Sequence, residues 1–108
     1  MAEIVFSLGE YSFIYDADKG MKNKRKHGLS FETAAHVFQD RLRLDFPDDA
    51  HSTIDEERWI TIGLVQEVLT VVYCERETDG VEYFRLISAR PASPEERTLY
   101  NNNIFGRR

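Results

Sequence analysis

Five cations, Lys19, Lys22, Lys24, Arg25 and Lys26, fall within eight positions, in a stretch whose one sizeable apolar residue is Met21. At 3.6 residues per turn, Lys19, Lys22, Asn23 and Lys26 share one stripe of a helix, a row of ammonium groups suited to a polyanion. Short helices are held mainly by an apolar face packed on a neighbour. A nearly all-cationic one needs another reason to exist. His27 adds a group able to titrate near neutral pH. The plainer reading is a solvated helix whose cations favour its C-terminal end.

Arginine marks the second half of the chain. Arg58, Arg76, Arg85 and Arg90 each stand at or near a strand end, beside residues that build a core. The guanidinium keeps its charge and grips phosphate as a two-pronged fork, so four around one sheet could form a phosphate pocket. Each could equally pair with a neighbouring carboxylate such as Glu57, Glu75, Glu77 or Glu82. Glu57-Arg58-Trp59 brings together an acid, a cation and an indole: a general base, a stabiliser of charge on phosphorus and a stacking platform. Equally, Trp59 reads as a core anchor beside surface charges. Asp48, Asp49 and His51 form a weak metal-ligand set in a loop, and no metal is expected. His36 lies off the apolar face of its helix and is expected to be exposed. No glycine loop for phosphate, nucleophile elbow or zinc signature occurs.

The elements that must position these side chains are readable in outline. Residues 2–6 and 11–15 are aromatic and β-branched, giving a hairpin or an extension leading into one strand. Asp16 is a good N-cap for the cationic helix, and Gly28 suits the left-handed residue that ends it, with Leu29 making the accompanying apolar contact. Ser30 caps a second helix with Phe31, Ala34, Ala35 and Phe38 on one face. Arg43–Phe46 alternates as a half-exposed strand that Pro47-Asp48-Asp49 stops, and residues 47–57 form a polar loop. Trp59–Val65, Val68–Tyr73 and Tyr83–Ser88 read as strands, joined by a tight turn at Gln66-Glu67 and another at Thr78-Asp79-Gly80. Val68–Tyr73 is apolar nearly throughout and should be central. Ser93-Pro94-Glu95-Glu96 opens the last helix with a capping box. The tail from Asn101 is expected to fray. The expected fold is α+β: a largely antiparallel sheet of four to five strands, with two N-terminal helices and one C-terminal helix covering one side.

Length and composition bound the rest. A chain of 108 residues supports one domain, 1–108, and an apolar fraction of 42% supports a packed core. No apolar run approaches the ~20 residues of a membrane span, and no signal-peptide pattern opens the chain. One cysteine, Cys74, allows no internal disulfide and reads as a half-buried inert thiol. A reducing cytoplasm fits. The net charge of −5 argues against broad nucleic-acid binding, yet residues 17–28 are basic and residues 45–57 acidic. Such a split fits a phosphate chain on one face and a basic partner on another.

Together these residues resemble the BrnT family of bacterial toxins. The pattern runs Tyr15-Asp16, Lys19, Asn23, Lys26-His27-Gly28, Ser30-Phe31-Glu32, Ala34-Ala35 and Val37-Phe38. It continues through Asp49, His51-Ser52, Glu57-Arg58, Gly63, Val71-Val72, Arg76 and Arg85–Arg90, and closes on Ala92, Glu96 and Tyr100. Residues 1–12 make an N-terminal segment longer than the family leads one to expect, 102–108 a flexible tail, and Cys74 stands where Thr is common.

The resemblance implies a RelE-like fold and a metal-independent endoribonuclease, without cofactor, that halts translation. It implies neutralisation by a BrnA-like ribbon-helix-helix antitoxin in a 2:2 complex that binds operator DNA through the antitoxin, the toxin acting as co-repressor. Cleavage needs a 2′-hydroxyl deprotonated, charge on phosphorus stabilised and a 5′-oxygen protonated. Lys26 with Arg76, Arg85 or Arg90 would hold the scissile phosphate, Arg58 would join the catalytic set, and His27 and Glu57 would exchange protons. Lys19, Lys22 and Trp59 would bind RNA. Two alternatives are a binding module that holds RNA or protein without cutting, and a toxin whose site has degraded, retained as co-repressor.

Overall fold

A computed structural model describes residues 2–106, and of Ile104–Gly106 the backbone alone. The chain opens on a hairpin of β1 (Glu3–Leu8) and β2 (Tyr11–Asp16), closed with Leu8 opposite Tyr11. Ile4, Phe6 and Leu8 alternate toward the core, and Phe6 stacks on Phe13 with ring centroids 5.1 Å apart. So the N-terminal segment is β1 and the start of β2, and both stretches form strands.

Helix α1 (Ala17–His27) follows at once. Its first turn is capped by Asp16, which accepts the Lys19 N–H at 3.0 Å, and Gly28 ends it with φ 71°. Ser30 caps α2 (Phe31–Ala34) by accepting the Thr33 N–H at 3.1 Å, but this helix is one turn long and continues as a 3-10 turn, Ala35–Gln39. Phe31, Ala34, Ala35 and Phe38 are buried as the pattern requires, Val37 is buried beside them, and His36 is exposed. The tighter turn needs only that Val37 and Phe38 both reach the sheet.

Four more strands follow: β3 (Leu44–Pro47), β4 (Arg58–Val65), β5 (Glu67–Thr78) and β6 (Val81–Pro91). Pro47 is the last residue of β3 rather than its stop; on an edge strand its missing N–H costs no ladder bond. Asp79 and Gly80, with φ of 52° and 78°, make the two-residue β5–β6 turn, Thr78 opposite Val81. Helix α3 (Pro94–Gly106) is the last element, and Asn103 donates to the Leu42 carbonyl at 2.9 Å. Arg107 and Arg108 lie outside the described residues.

The α+β class holds, with two corrections. The sheet has six strands in the order β1-β2-β6-β5-β4-β3, and β2 runs parallel to β6. That contact joins residues some seventy positions apart, which no local pattern can reveal. Nor do the helices share one side. Phe31, Val37 and Phe38 cover Phe13, Tyr15, Val71, Tyr73, Leu86 and Ala89. Arg90, Thr70 and Ile62 stand in one cross-strand row pointing the other way, and α3 packs there against β4 and β5. Ile62 and Thr70 are buried under it. One half of that second face is therefore covered by α3, and the half around Arg58, Cys74 and Arg85 is left open.

Candidate functional site

Strand register builds the open half-face. Arg58 on β4, Cys74 on β5 and Arg85 on β6 are directly opposite one another, so their side chains share a side. Arg76 is two residues beyond Cys74 and joins them. The row continues through Ile14 on β2 to Val5 on β1, which places Glu3, two residues before Val5, beside the arginines. Glu3 Oε1 lies 3.1 Å from Arg85 Nη1 and 3.7 Å from Arg76 Nη1. Arg58 Nε donates to Glu56 at 2.9 Å. Cys74 lies buried beneath these guanidiniums, and burial raises its thiol pKa, so it is an inert floor to the patch.

The loop before β4 holds Arg58 in place. Asp48 N–H donates to the Arg58 carbonyl at 2.8 Å, and the Arg58 N–H donates to Ser52 Oγ at 2.8 Å. Ser52 Oγ donates in turn to the Asp48 carbonyl at 2.7 Å, while His51 Nδ1 donates to the buried Asp48 carboxylate at 3.0 Å. Asp48 and His51 thus shape the loop, and among the described residues no group of three His, Cys, Asp or Glu is placed to hold a metal.

Trp59 alternates to the opposite side from Arg58, in register with Tyr73, and packs on the main core. Its indole N–H donates to Glu57 Oε1 at 3.2 Å. A shallow cleft of about 270 Å³ wraps the end of the sheet, with Glu56, Glu57, Trp59, Cys74 and Arg76 among its walls. Glu57 and Arg76 meet in this cleft although they belong to opposite sides of the sheet.

Arg90 is placed differently. Its fork is filled by Glu96, Nη1 to Oε1 at 2.6 Å and Nη2 to Oε2 at 2.9 Å. Glu96 Oε1 also accepts the Ser93 N–H at 2.8 Å, while Ser93 Oγ accepts the Glu96 N–H at 3.2 Å, the reciprocal capping box read from the sequence. The Arg90 hydrogen bond, helped by that from Ser93, holds the Glu96 carboxyl down at about 2. Arg90 thus docks α3 on the sheet.

The cationic helix is seated by two polar and aromatic contacts instead of an apolar face. Gly20 lies on the Tyr15 ring, where an added Cβ would come within 2.5 Å of Cε2. Asn23, on the stripe with the lysines, is buried: its Oδ1 accepts the Ala89 N–H at 3.0 Å and its Nδ2 donates to the Leu29 carbonyl at 3.1 Å. Lys19, Lys22, Lys24, Arg25 and Lys26 are exposed and His27 half-buried. Among the described residues no hydrogen bond or ion pair links these side chains to the arginine patch. Glu3, Glu56 and Asn23 are participants whose roles the sequence did not disclose; the alternation of β1 with a charge on its outer side was the one available signal for Glu3.

The small α+β domain thus carries two basic regions, the arginines of the half-open sheet face and the exposed cations of α1. A family model described as the ribonuclease toxin BrnT of type II toxin-antitoxin systems matches residues 15–96, and this chain belongs to that family. No curated protein matches it by sequence. An antitoxin partner follows from the family, and among the described residues no helix is long and apolar enough to cross a membrane.

Proposed function

We propose that this chain is a cytoplasmic endoribonuclease toxin of RelE-like fold, which cuts RNA at the cleft between Glu57 and the Arg58–Arg76–Arg85 patch. The observation that carries this is the convergence of Arg76 and Arg85 on a single carboxylate oxygen, with Arg58 in the same cross-strand row. Such an arrangement suits a phosphate, whose developing negative charge three fixed guanidiniums would stabilise.

In this reading the nucleophile is the RNA's own 2′-hydroxyl. Its proton passes to the Glu57 carboxylate, the O2′–P bond forms and the P–O5′ bond breaks, leaving a cyclic phosphate and a 5′-oxygen that takes up a proton from water. Arginine charge does the work of a metal ion. Trp59, half-buried against the core and tethered to Glu57, presents its exposed part to a neighbouring base in the cleft. Lys19, Lys22, Lys26 and His27 track the RNA backbone on the other flank, a role that suits exposed lysines. A BrnA-like ribbon-helix-helix antitoxin neutralises the toxin in a 2:2 complex that binds its operator.

The test is cleavage of RNA by purified protein, beside Arg76→Ala, Arg85→Ala and Glu57→Gln. Cleavage lost in folded variants supports the reading. Intact RNA with the well-folded wild type sinks it and leaves a non-cutting binding module. Co-purification with the product of a neighbouring gene tests the antitoxin.

A further inference from the structure

We propose that Glu3 is a built-in stand-in for phosphate, a carboxylate on the edge strand that RNA must displace from Arg76 and Arg85. The inference rests on the reading of that patch as the phosphate site and adds a residue outside the family-matched stretch of 15–96.

Two arginine–glutamate arrangements in this molecule make the case by contrast. At Arg90 both guanidinium prongs meet both oxygens of Glu96, which is itself tied into the α3 cap, so the pair is closed to a ligand. At the patch a single Glu3 oxygen serves two arginines, within hydrogen-bond reach of Arg85 but at 3.7 Å from Arg76. Most of the donors on these two guanidiniums are left for another anion. Glu3 is 45% exposed, while Arg85 is only 17% exposed and cannot swing away. Arg85 is thus held by its surroundings, while Glu3, like Arg76 at 43% exposure, reaches into solvent. Glu3 also stands on a strand with a neighbour on one side only, so its side chain can turn to solvent without disturbing a ladder.

The phosphodiester of RNA carries two non-bridging acceptor oxygens and can bridge both forks with separate atoms, where Glu3 bridges through one. Displacement therefore costs the contacts of one half-exposed carboxylate, the 3.1 Å pair with Arg85 and the longer one with Arg76, equivalent to about five-fold in affinity. Glu3 keeps stray anions off the patch and sets how tightly a substrate must bind to open it.

The experiment is an NMR titration of the Arg85 Nε–H signal with inorganic phosphate, in wild type and Glu3→Gln, with Glu3→Ala as second variant should the first fold poorly. Alongside it, binding of a 2′-O-methyl oligoribonucleotide is followed by fluorescence anisotropy. Removing the carboxylate should tighten phosphate and oligonucleotide by about three- to five-fold, and the gain should vanish in Glu3→Gln/Arg85→Ala. In cleavage assays KM should fall by the same factor with kcat unchanged. A Glu3 that merely braced the arginines would leave binding unchanged or weaker, and either result overturns the proposal, as does a gain that survives loss of Arg85. The two readings fail separately: tighter phosphate binding in a protein that leaves RNA intact removes the nuclease alone. RNA cleavage dependent on Arg85 but indifferent to Glu3 removes the stand-in alone.

Discussion

The two basic regions of this protein are built on opposite plans. On α1 five cations stand in solvent without a partner among the described residues, and the helix is held by Gly20 against Tyr15 and by Asn23 between β6 and Leu29. On the open sheet face each arginine has a carboxylate beside it, and the strands that carry them are the body of the fold. Mobile ammonium groups attract a polyanion along its length and gain little from any one contact. Guanidiniums fixed in a cross-strand row can recognise one phosphate and stabilise charge that develops on it. In the proposed reading, chemistry belongs to the sheet and capture to the helix.

The comparison breaks first, and most visibly, at Arg85. Arg85→Ala should lower kcat by about 100-fold or more, the cost of removing one donor to a developing oxyanion, while thermal unfolding stays near that of the wild type. A variant that cuts normally would remove the sheet from the chemistry. Next in size is Asn23→Ala, which leaves the buried Ala89 N–H without its acceptor and frees the Leu29 carbonyl. Urea unfolding should show a loss of about 1–3 kcal/mol. An unchanged midpoint would mean that α1 is seated by something else.

A third prediction concerns the arginine outside the patch. Because Arg90 and Ser93 hold the Glu96 carboxyl near 2, below its ordinary 4.5, the stability it adds is complete above pH ~4.5 and is lost as pH falls toward about 2. Melting temperatures over that window should fall more steeply for wild type than for Glu96→Gln; parallel curves would deny the linkage. The smallest effect belongs to the helix. Lys22→Ala should weaken RNA binding a few-fold, leave kcat alone, and reduce the slope of log affinity against log salt by about 0.7. A fall in kcat comparable to that of Arg85→Ala would move the chemistry onto α1.

Much of this molecule was legible from its residues. Asp16, Gly28, Ser30 and the Ser93–Glu96 box cap the helices as read, because capping is a contact between neighbours a few positions apart. Asp79-Gly80 turns as read for the same reason. Val68–Tyr73 lies in a central strand because a run apolar on both sides has to be covered on both sides. The family, too, was recognisable from the spacing of Lys26-His27-Gly28, Glu57-Arg58 and Arg85–Arg90.

Only the tertiary structure decided which charges meet. The parallel contact of β2 with β6 brings the β1 hairpin alongside Arg85, and so sets Glu3 between two arginines far away in the chain. Register sends Trp59 to the core and its neighbour Arg58 to the open face. The placing of α3 on the second side closes Arg90 onto Glu96 and leaves Arg58, Arg76 and Arg85 on the uncovered half of that face. Local interactions settle the type and ends of an element, since they span a few residues. Which face of the sheet is open, and which arginine is spent on holding a helix, depends on contacts between strands separated by most of the chain.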